Sequence, residues 1–401
     1  MSLPRKHPIE WKQKTFSNAL SVLKDGTHFS PKAFGGKNFY ITSKNIRMGK
    51  LDLEDVSYIP DDEHHRIYSS SPVRYGDVLL TKDGAKTGNV CINTLKVEFS
   101  LLSSVAYLRG KTDLLLNEFL LQWLSSPRVQ YDIKNEMAGQ AITRLTLQKI
   151  GKFKILLPTL PEQKAIADLL STWDEAIEKT ERLIQAKEKR FKWLLRELIS
   201  GPRNTQKSTE WKRVKIGSFL TESRIPDREN DPKKRLSVRL HLKGVEVREY
   251  RGTESDGATA YFVRKAGQFI YGKQNVFRGS VGIVPPELDG YSSTQDIPAF
   301  DVTDGVNKSW LLFLFSYPNF YKKLELYASG SGSKRLHPKE LFKMKIALPS
   351  FEEQQEIAEA LTASQQGIDL LKQLADKYKT QKRGLMQKML TGEWRVRGFA
   401  E

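Results

Sequence analysis

A single cysteine, Cys91, stands in 401 residues, so the chain has no internal disulfide framework and no cysteine-based zinc site. That suits a reducing cytosol, and Cys91 reads as a small buried apolar residue. No window approaches the roughly 18 uninterrupted apolar residues of a membrane span. The stretch Met1 to Pro8 is polar and basic, which predicts no signal peptide. Nucleotide-binding motifs are missing as well. Lys82-Asp83-Gly84-Ala85-Lys86-Thr87-Gly88 and Ser329-Gly330-Ser331-Gly332-Ser333-Lys334 lack the G-x-x-x-x-G-K-[ST] spacing and read as turns. There is no G-x-G-x-x-G after a strand, no Asn-Pro-Pro or Asp-Pro-Pro tetrapeptide of an amino-methyltransferase, and no persuasive Ser-His-Asp or Cys-His spacing. His64-His65 after Asp61-Asp62-Glu63 reads as a solvated acidic turn rather than a metal site, because adjacent side chains rarely converge on one ion. Acidic residues are in deficit: 47 Asp+Glu face 65 Lys+Arg, a net charge of +18. Such a balance suits a protein that neutralises phosphates, although charge alone tells neither DNA from RNA nor nucleic acid from an acidic membrane or protein.

What is present is a repeat. Lys154-Ile155-Leu156-Leu157-Pro158 recurs 191 residues later as Lys345-Ile346-Ala347-Leu348-Pro349, and Glu162-Gln163 recurs as Glu353-Gln354. At the same offset Gly76 to Lys82 matches Gly267 to Lys273, and Gly88 to Ile92 matches Gly279 to Ile283, each pair reading as strand, glycine-bearing turn and strand. Phe119 through Pro127 matches Trp310 through Pro318, a short helix stopped by proline, and Gly139 and Arg144-Leu145 match Gly330 and Arg335-Leu336. Between these anchors the halves diverge. Glu10-Trp11-Lys12 and Glu210-Trp211-Lys212 open the two units, and Glu393-Trp394-Arg395 reads as the opening of a third. A cyclic arrangement cut open at one point predicts that the termini lie close together.

Each unit ends in a long helical pattern. Leu170, Trp173, Ile177, Thr180, Ile184, Lys187, Phe191, Leu194 and Leu198 alternate steps of three and four, as do Leu361, Ser364, Ile368, Leu371, Ala375, Tyr378, Lys382, Leu385 and Met389. Each pattern spans roughly 37 residues, or about 55 Å, too long to pack inside one small domain. Two such helices pair with each other, antiparallel if the units are related by a pseudo-twofold. The domains that precede them mix short strands, among them 39–42, 78–80, 90–92, 105–108 and 261–263, with a few helices, which predicts an α+β sheet domain, partly open or barrel-like.

With catalytic motifs missing, the chemistry left is basic and amide side chains on turns. Lys44, Asn45 and Arg47 follow the strand at Phe39, and Lys82, Lys86 and Thr87 lie in the turn matched by Lys273, Gln274, Asn275 and Arg278. Arginine and lysine can read guanine, asparagine and glutamine can read adenine, and any of them can hold phosphate. Gln274, Asn275 and Arg278 are the strongest candidates for base reading in the second unit, while Arg144 and Lys334-Arg335 resemble phosphate clamps.

The order of variable domain, L-P-x-x-x-E-Q and long helix, carried by Leu157-Pro158 to Glu162-Gln163 and Leu348-Pro349 to Glu353-Gln354, resembles the specificity subunit of type I restriction-modification systems. The resemblance covers essentially the whole chain. It implies two pseudo-twofold-related α/β target recognition domains, 1–157 and, with a linker, 202–348. Two long antiparallel helices forming a coiled coil, 158–201 and 349–401, would join them. It further implies that each domain reads one half of a bipartite, asymmetric double-stranded DNA site, with the helices setting the spacer. Two methylation subunits, carrying S-adenosylmethionine and modifying adenine at N6, would dock at Glu162, Gln163 and Ile166 and at Glu353, Gln354 and Ile357. Restriction subunits using ATP and magnesium would join them. The chain itself would then hold no cofactor and no metal, catalyse nothing, contact no membrane and work in the cytoplasm. A DNA-cutting nuclease with its own active site is the alternative from another class, and a coiled-coil scaffold with incidental charge is a third.

Overall fold

The computed structural model describes residues 8, 10–137, 144–201, 211–250, 252, 260–330 and 333–398; Gly139, Glu210, Ser331 and Gly332 of the repeat lie outside them. The chain forms two compact units, Met1–Arg182 with Gln373–Glu401, and Leu183–Lys372. The boundary therefore passes through both long helices, rather than falling at their ends as the sequence pattern suggests.

The first unit is built on an antiparallel sheet in the order Leu20–Asp25, Val105–Gly110, Val78–Thr81, Val90–Ile92. The second repeats that order with Leu220–Ser223, Ala299–Val302, Phe269–Tyr271 and Val281–Ile283. Val78–Thr81 is buried throughout and is rich in β-branched and aliphatic residues, as a central strand with both faces covered requires. A two-stranded ribbon closes each unit. Lys12–Thr15 pairs with Lys154–Leu157, and Lys212–Lys215 with Lys345–Leu348, both antiparallel and in the same register. The recurring K-I-x-L-P segment is thus the last strand of each unit, and its proline turns the chain into the long helix. Smaller sheets cover the rest, and here the units differ. The first contains a parallel strand pair, Asn38–Ile41 with Ser100–Leu101, while the described strand pairs of the second are antiparallel, apart from an isolated parallel bridge between Arg235 and Ser292. The sheet of each unit is divided into several small pieces rather than rolled into one barrel.

After the sheet, Asn117–Ser125 and Lys308–Ser316 form the expected short helices. Pro127 and Pro318 do more than stop them. Each takes the first position of a following helix, Pro127–Met137 and Pro318–Tyr321, where a missing N–H costs nothing. The acidic turn at Asp61 is in fact a helix, Asp61–Tyr68, with its three acids in the first turn, where the helix dipole favours them. His64 is buried there, its Nδ1 3.0 Å from Ser100 Oγ, so it packs inside rather than facing solvent.

The long helices run Leu160–Ile199 and Phe351–Met389. In the first unit the opening of one lies antiparallel to the close of the other. Trp173 meets Tyr378 edge-on, Lys382 pairs with Asp174, and Lys379 reaches Glu181 at 2.7 Å. In the second unit Lys372 reaches Glu188 at 2.7 Å and Phe191 packs on Phe313. Of the eighteen seam positions, only Lys187 is exposed. Each unit's core takes in both helices: Ile166, Leu170, Met386 and Met389 in the first, Leu195, Ile199, Ile357 and Leu361 in the second.

Candidate nucleic-acid interface

In both units the turn between the third and fourth strands of the main sheet carries a platform. Gly88 and Gly279 adopt φ of 97° and 77°, a region open to glycine, and let the chain double back. The segment bearing the matched arginine is laid onto the same turn. Leu145 N–H donates to Lys82 O at 2.8 Å, and Leu336 N–H to Lys273 O at 2.9 Å. Arg144 thereby comes within 3.7 Å of Asp83, and Arg335 within 3.6 Å of Asp296.

A β-hairpin is clamped over each platform. In the first unit it is Ile46–Arg47 with Lys50–Leu51. Asn89 Nδ2 donates to Ile46 O at 3.0 Å, Gly49 N–H to Val90 O at 2.8 Å, and Lys86 Nζ to Lys44 O at 3.4 Å. In the second unit it is Leu236–Val238 with Val245–Val247. There Ser280 Oγ donates to Val238 O at 2.8 Å, and the N–H groups of His241 and Leu242 donate to Arg278 O and Gly279 O at 3.0 and 2.9 Å. Asn89 and Ser280 are matched positions of the repeat, so the same clamp is built twice with different side chains. The sequence reading passed over the second hairpin. Its signal was the alternation in Leu236-Ser237-Val238 and Val245-Glu246-Val247 around Gly244.

The platforms and hairpins gather Lys44, Arg47, Lys86, Thr87 and Arg144 in one unit, and Gln274, Asn275, Arg278 and Arg335 in the other. Lys334 stands exposed beside the latter, held by Glu325 at 2.9 Å. Lys44 and Arg47 pair with Asp55 and Asp52 at 3.3 and 3.1 Å. Asp52's carboxyl is held below its usual range by the Glu54 N–H and by Arg47. Ion pairs at the surface hold weakly, which leaves both cations able to meet other anions. Thr87 Oγ1 donates to Gly84 O at 2.7 Å and shapes the turn.

Three residues predicted to touch DNA are turned inward. Lys82 is buried with its Nζ 3.0 Å from Asp25, since an ammonium inside a sheet needs a counter-charge. Asn45 is buried and its amide is spent. Its Oδ1 accepts from Thr42 N–H at 3.1 Å, and its Nδ2 donates to Asp52 O and Asp55 O at 3.0 and 3.2 Å, fixing the hairpin's base. Lys273 is buried too, and desolvation holds its pKa below the usual lysine value.

The residues predicted to dock partner subunits are corrected more thoroughly. Glu162 is buried and accepts Trp11 Nε1 at 3.2 Å and Arg395 Nε and Nη2 at 2.6 and 3.0 Å. Gln163 is fully buried, accepting from Leu116 N–H at 3.0 Å and donating to Leu114 O and Pro158 O at 2.9 and 3.0 Å. Gln354 does the same in the second unit, with Asn307 N–H at 2.8 Å and Pro349 O at 3.1 Å. Half-buried Glu353 accepts Trp211 Nε1 at 3.0 Å. Ile166 and Ile357 lie in the cores. The Glu-Gln pair therefore ties each helix to its own unit. The outward side of the same turns carries Lys164, Asp168 and Leu169, and Gln355, Glu356 and Glu359, all exposed.

The tryptophan marks explain themselves here. Trp11 packs on Gly392, the glycine closing the second helix, as Trp211 packs on Gly201, which closes the first. Each tryptophan joins the start of one helix to the end of the other within its unit. The third mark is different. Trp394 is half-exposed beneath Lys388 and opens no strand, while Arg395 pairs with Glu162 and Glu10. The termini themselves lie outside the described residues, but Glu10 and Arg395, near them in sequence, meet.

Among the described residues no helix is long and apolar enough to cross a membrane, and no group of three or more His, Cys, Asp or Glu side chains is placed to hold a metal.

Known proteins agree with this architecture. The chain is 23% identical to a putative type I restriction enzyme MjaX specificity subunit of Methanocaldococcus jannaschii, over 97% of this chain and 95% of that one. It is 22% identical to the MjaVIII specificity subunit of the same organism, over 82% and 81%. Its fold matches a chain solved in work on complex assembly and conformational transition of the type I R-M system, with a TM-score of 0.60, 17% identity and coverage of 98% and 100%. It also matches the type I restriction-modification S subunit from M. genitalium, with a TM-score of 0.59, 15% identity and coverage of 97% and 98%. The family model for the type I restriction modification DNA specificity domain matches residues 32–188 and 251–379, most of the chain, and the protein belongs to that family.

Proposed function

We propose that this chain is the DNA-reading subunit of a type I restriction-modification complex and that each unit reads one half of a bipartite, asymmetric site in double-stranded DNA. The observation that carries the reading is the doubled platform: the same strand order and the same clamped hairpin, presenting Lys86 and Arg47 in one unit and Gln274, Asn275 and Arg278 in the other. Equivalent scaffolds with unlike side chains suit two unlike half-sites. Two methylation subunits, bearing S-adenosylmethionine and acting on adenine N6, dock on the outward faces of the long helices. Restriction subunits complete the complex with ATP and magnesium, so this chain contributes recognition and no catalysis, in the cytoplasm.

The test is to express the chain with its methylation subunits in a host lacking other adenine methylation and to map modified adenines across the genome. The expected result is one recognition sequence of two different halves separated by a fixed unread spacer. Methylation at a single uninterrupted site, or cutting or methylation by the purified chain alone, would overturn the reading.

A further inference from the structure

The two hairpin tips share a pattern that basic charge alone does not explain. In the first unit Met48, at the tip, is 47% exposed and stands between exposed Arg47 and Lys50. In the second, Leu242 is 40% exposed and stands between exposed Arg239 and Lys243, beside exposed His241. In both, the leading arginine pairs with an acid beyond the second strand's start, Arg47 with Asp52 and Arg239 with Glu246. An apolar side chain held out in water serves neither the chain's core nor a phosphate.

The second tip is also held in a conformation it would not choose. His241 and Leu242 have φ of 61° and 60°, a region that costs a residue with a side chain free energy. Their N–H bonds to Arg278 O and Gly279 O hold them there. Gly279 is the glycine that permits the approach. A Cβ at that position would lie 3.1 Å from two Leu242 side-chain carbons, and φ there is already left-handed. The fold thus fixes where Leu242 stands relative to Arg278, Gln274 and Asn275. At the first tip Gly49, with φ of 78°, makes the turn without strain and Met48 takes the exposed place.

A two-stranded β-ribbon fits the major groove of B-form DNA, where thymine offers a methyl group to an apolar contact. We infer that the 46–51 and 236–247 hairpins enter the major groove of the two half-sites, with Met48 and Leu242 as specificity-determining contacts to base edges and the flanking cations on phosphates. This rests on the reading above that each unit meets one half-site. The platform residues Lys86, Arg278 and Asn275 then lie behind the ribbon, where they hold its register on the duplex.

The experiment uses the chain assembled with its methylation subunits and a library of duplexes randomised in both half-sites, read by sequencing the methylated products. Met48→Ala is expected to relax preference at one or two positions of one half-site, and Leu242→Ala at one or two positions of the other. Each loss of discrimination should be about ten-fold, the scale of one good base contact. Leu242→Met, which keeps bulk and exposure, should shift the preferred base rather than abolish preference. Thermal unfolding should barely move for any of the three, because the side chains are exposed. Half-sites that survive all three variants overturn this inference alone, as does an equal loss of affinity for every sequence. A wild-type complex with no two-part preference overturns the reading above and this inference with it.

Discussion

Glu162 and Glu353 occupy matched places in the repeat and do the same work under different burial. Glu162 is 1% exposed at its side chain and answers both Trp11 and Arg395, whereas Glu353 is half-buried and answers Trp211. Removing the buried carboxylate leaves the Trp11 indole N–H without a partner and Arg395 with Glu10 alone, which costs about 1–3 kcal/mol. Glu162→Ala should therefore lower the unfolding free energy in urea by an amount on that scale, and a loss under about 0.5 kcal/mol would contradict the pairing. Cys91 offers a second measurement at this scale. Burial pushes its thiol up to about 12 from 9.0, so folding favours the neutral form. Its stabilising contribution is full below about pH 9 and is lost as pH rises from 9 towards 12. The thiol should resist alkylation at pH 8.5 in the native protein and react once denatured. Rapid native labelling would show the strand Val90–Ile92 to be open.

At the scale of elements, the long helices were the most legible part of the chain because their period is written in every turn. Seventeen of eighteen seam positions are buried or half-buried, and the exception, Lys187, is the one in the first helix with a long charged side chain. What the pattern could not say is what covers the rest of each helix, and Glu162-Gln163 were read as outward-facing when they turn inward onto the chain's own loops. If the helices set the unread spacer, inserting one heptad at matched levels of both should lengthen that spacer in the methylome and leave each half-site unchanged. An unaltered spacer would sink the idea. Hairpins were the least legible elements. Strands of two or three residues carry too little alternation to stand out, and Met48 and Leu242 are defined by exposure, which neighbours in sequence do not report.

For the molecule as a whole, duplication explains both the likeness and the difference between the units. The strand order, the closing ribbon, the tryptophan on the glycine and the glutamine under the loop all recur. Those are the parts that must bury backbone polar groups, and few side chains satisfy them. The covering sheets diverge: the first unit pairs Asn38–Ile41 in parallel with Ser100–Leu101, where the second has an isolated parallel bridge, Arg235 with Ser292. A genome-wide methylation map tests this division directly, since one scaffold with two sets of tips predicts two unlike half-sites within a single sequence.

The repeat, the α+β class, the paired helices and the absence of nucleotide-binding motifs are local or periodic properties, so they could be read before any coordinates. Residue type at a turn suggested DNA contact for Lys82, Asn45 and Lys273, and partner docking for Glu162 and Gln163, but type does not say which way a side chain points. That depends on whether a counter-charge such as Asp25, or carbonyls such as Leu114 O and Pro158 O, wait inside the fold. Long-range pairing of Arg395 with Glu162, across 233 positions of chain, and the lifting of Leu242 over Gly279 arise only when distant segments are packed together.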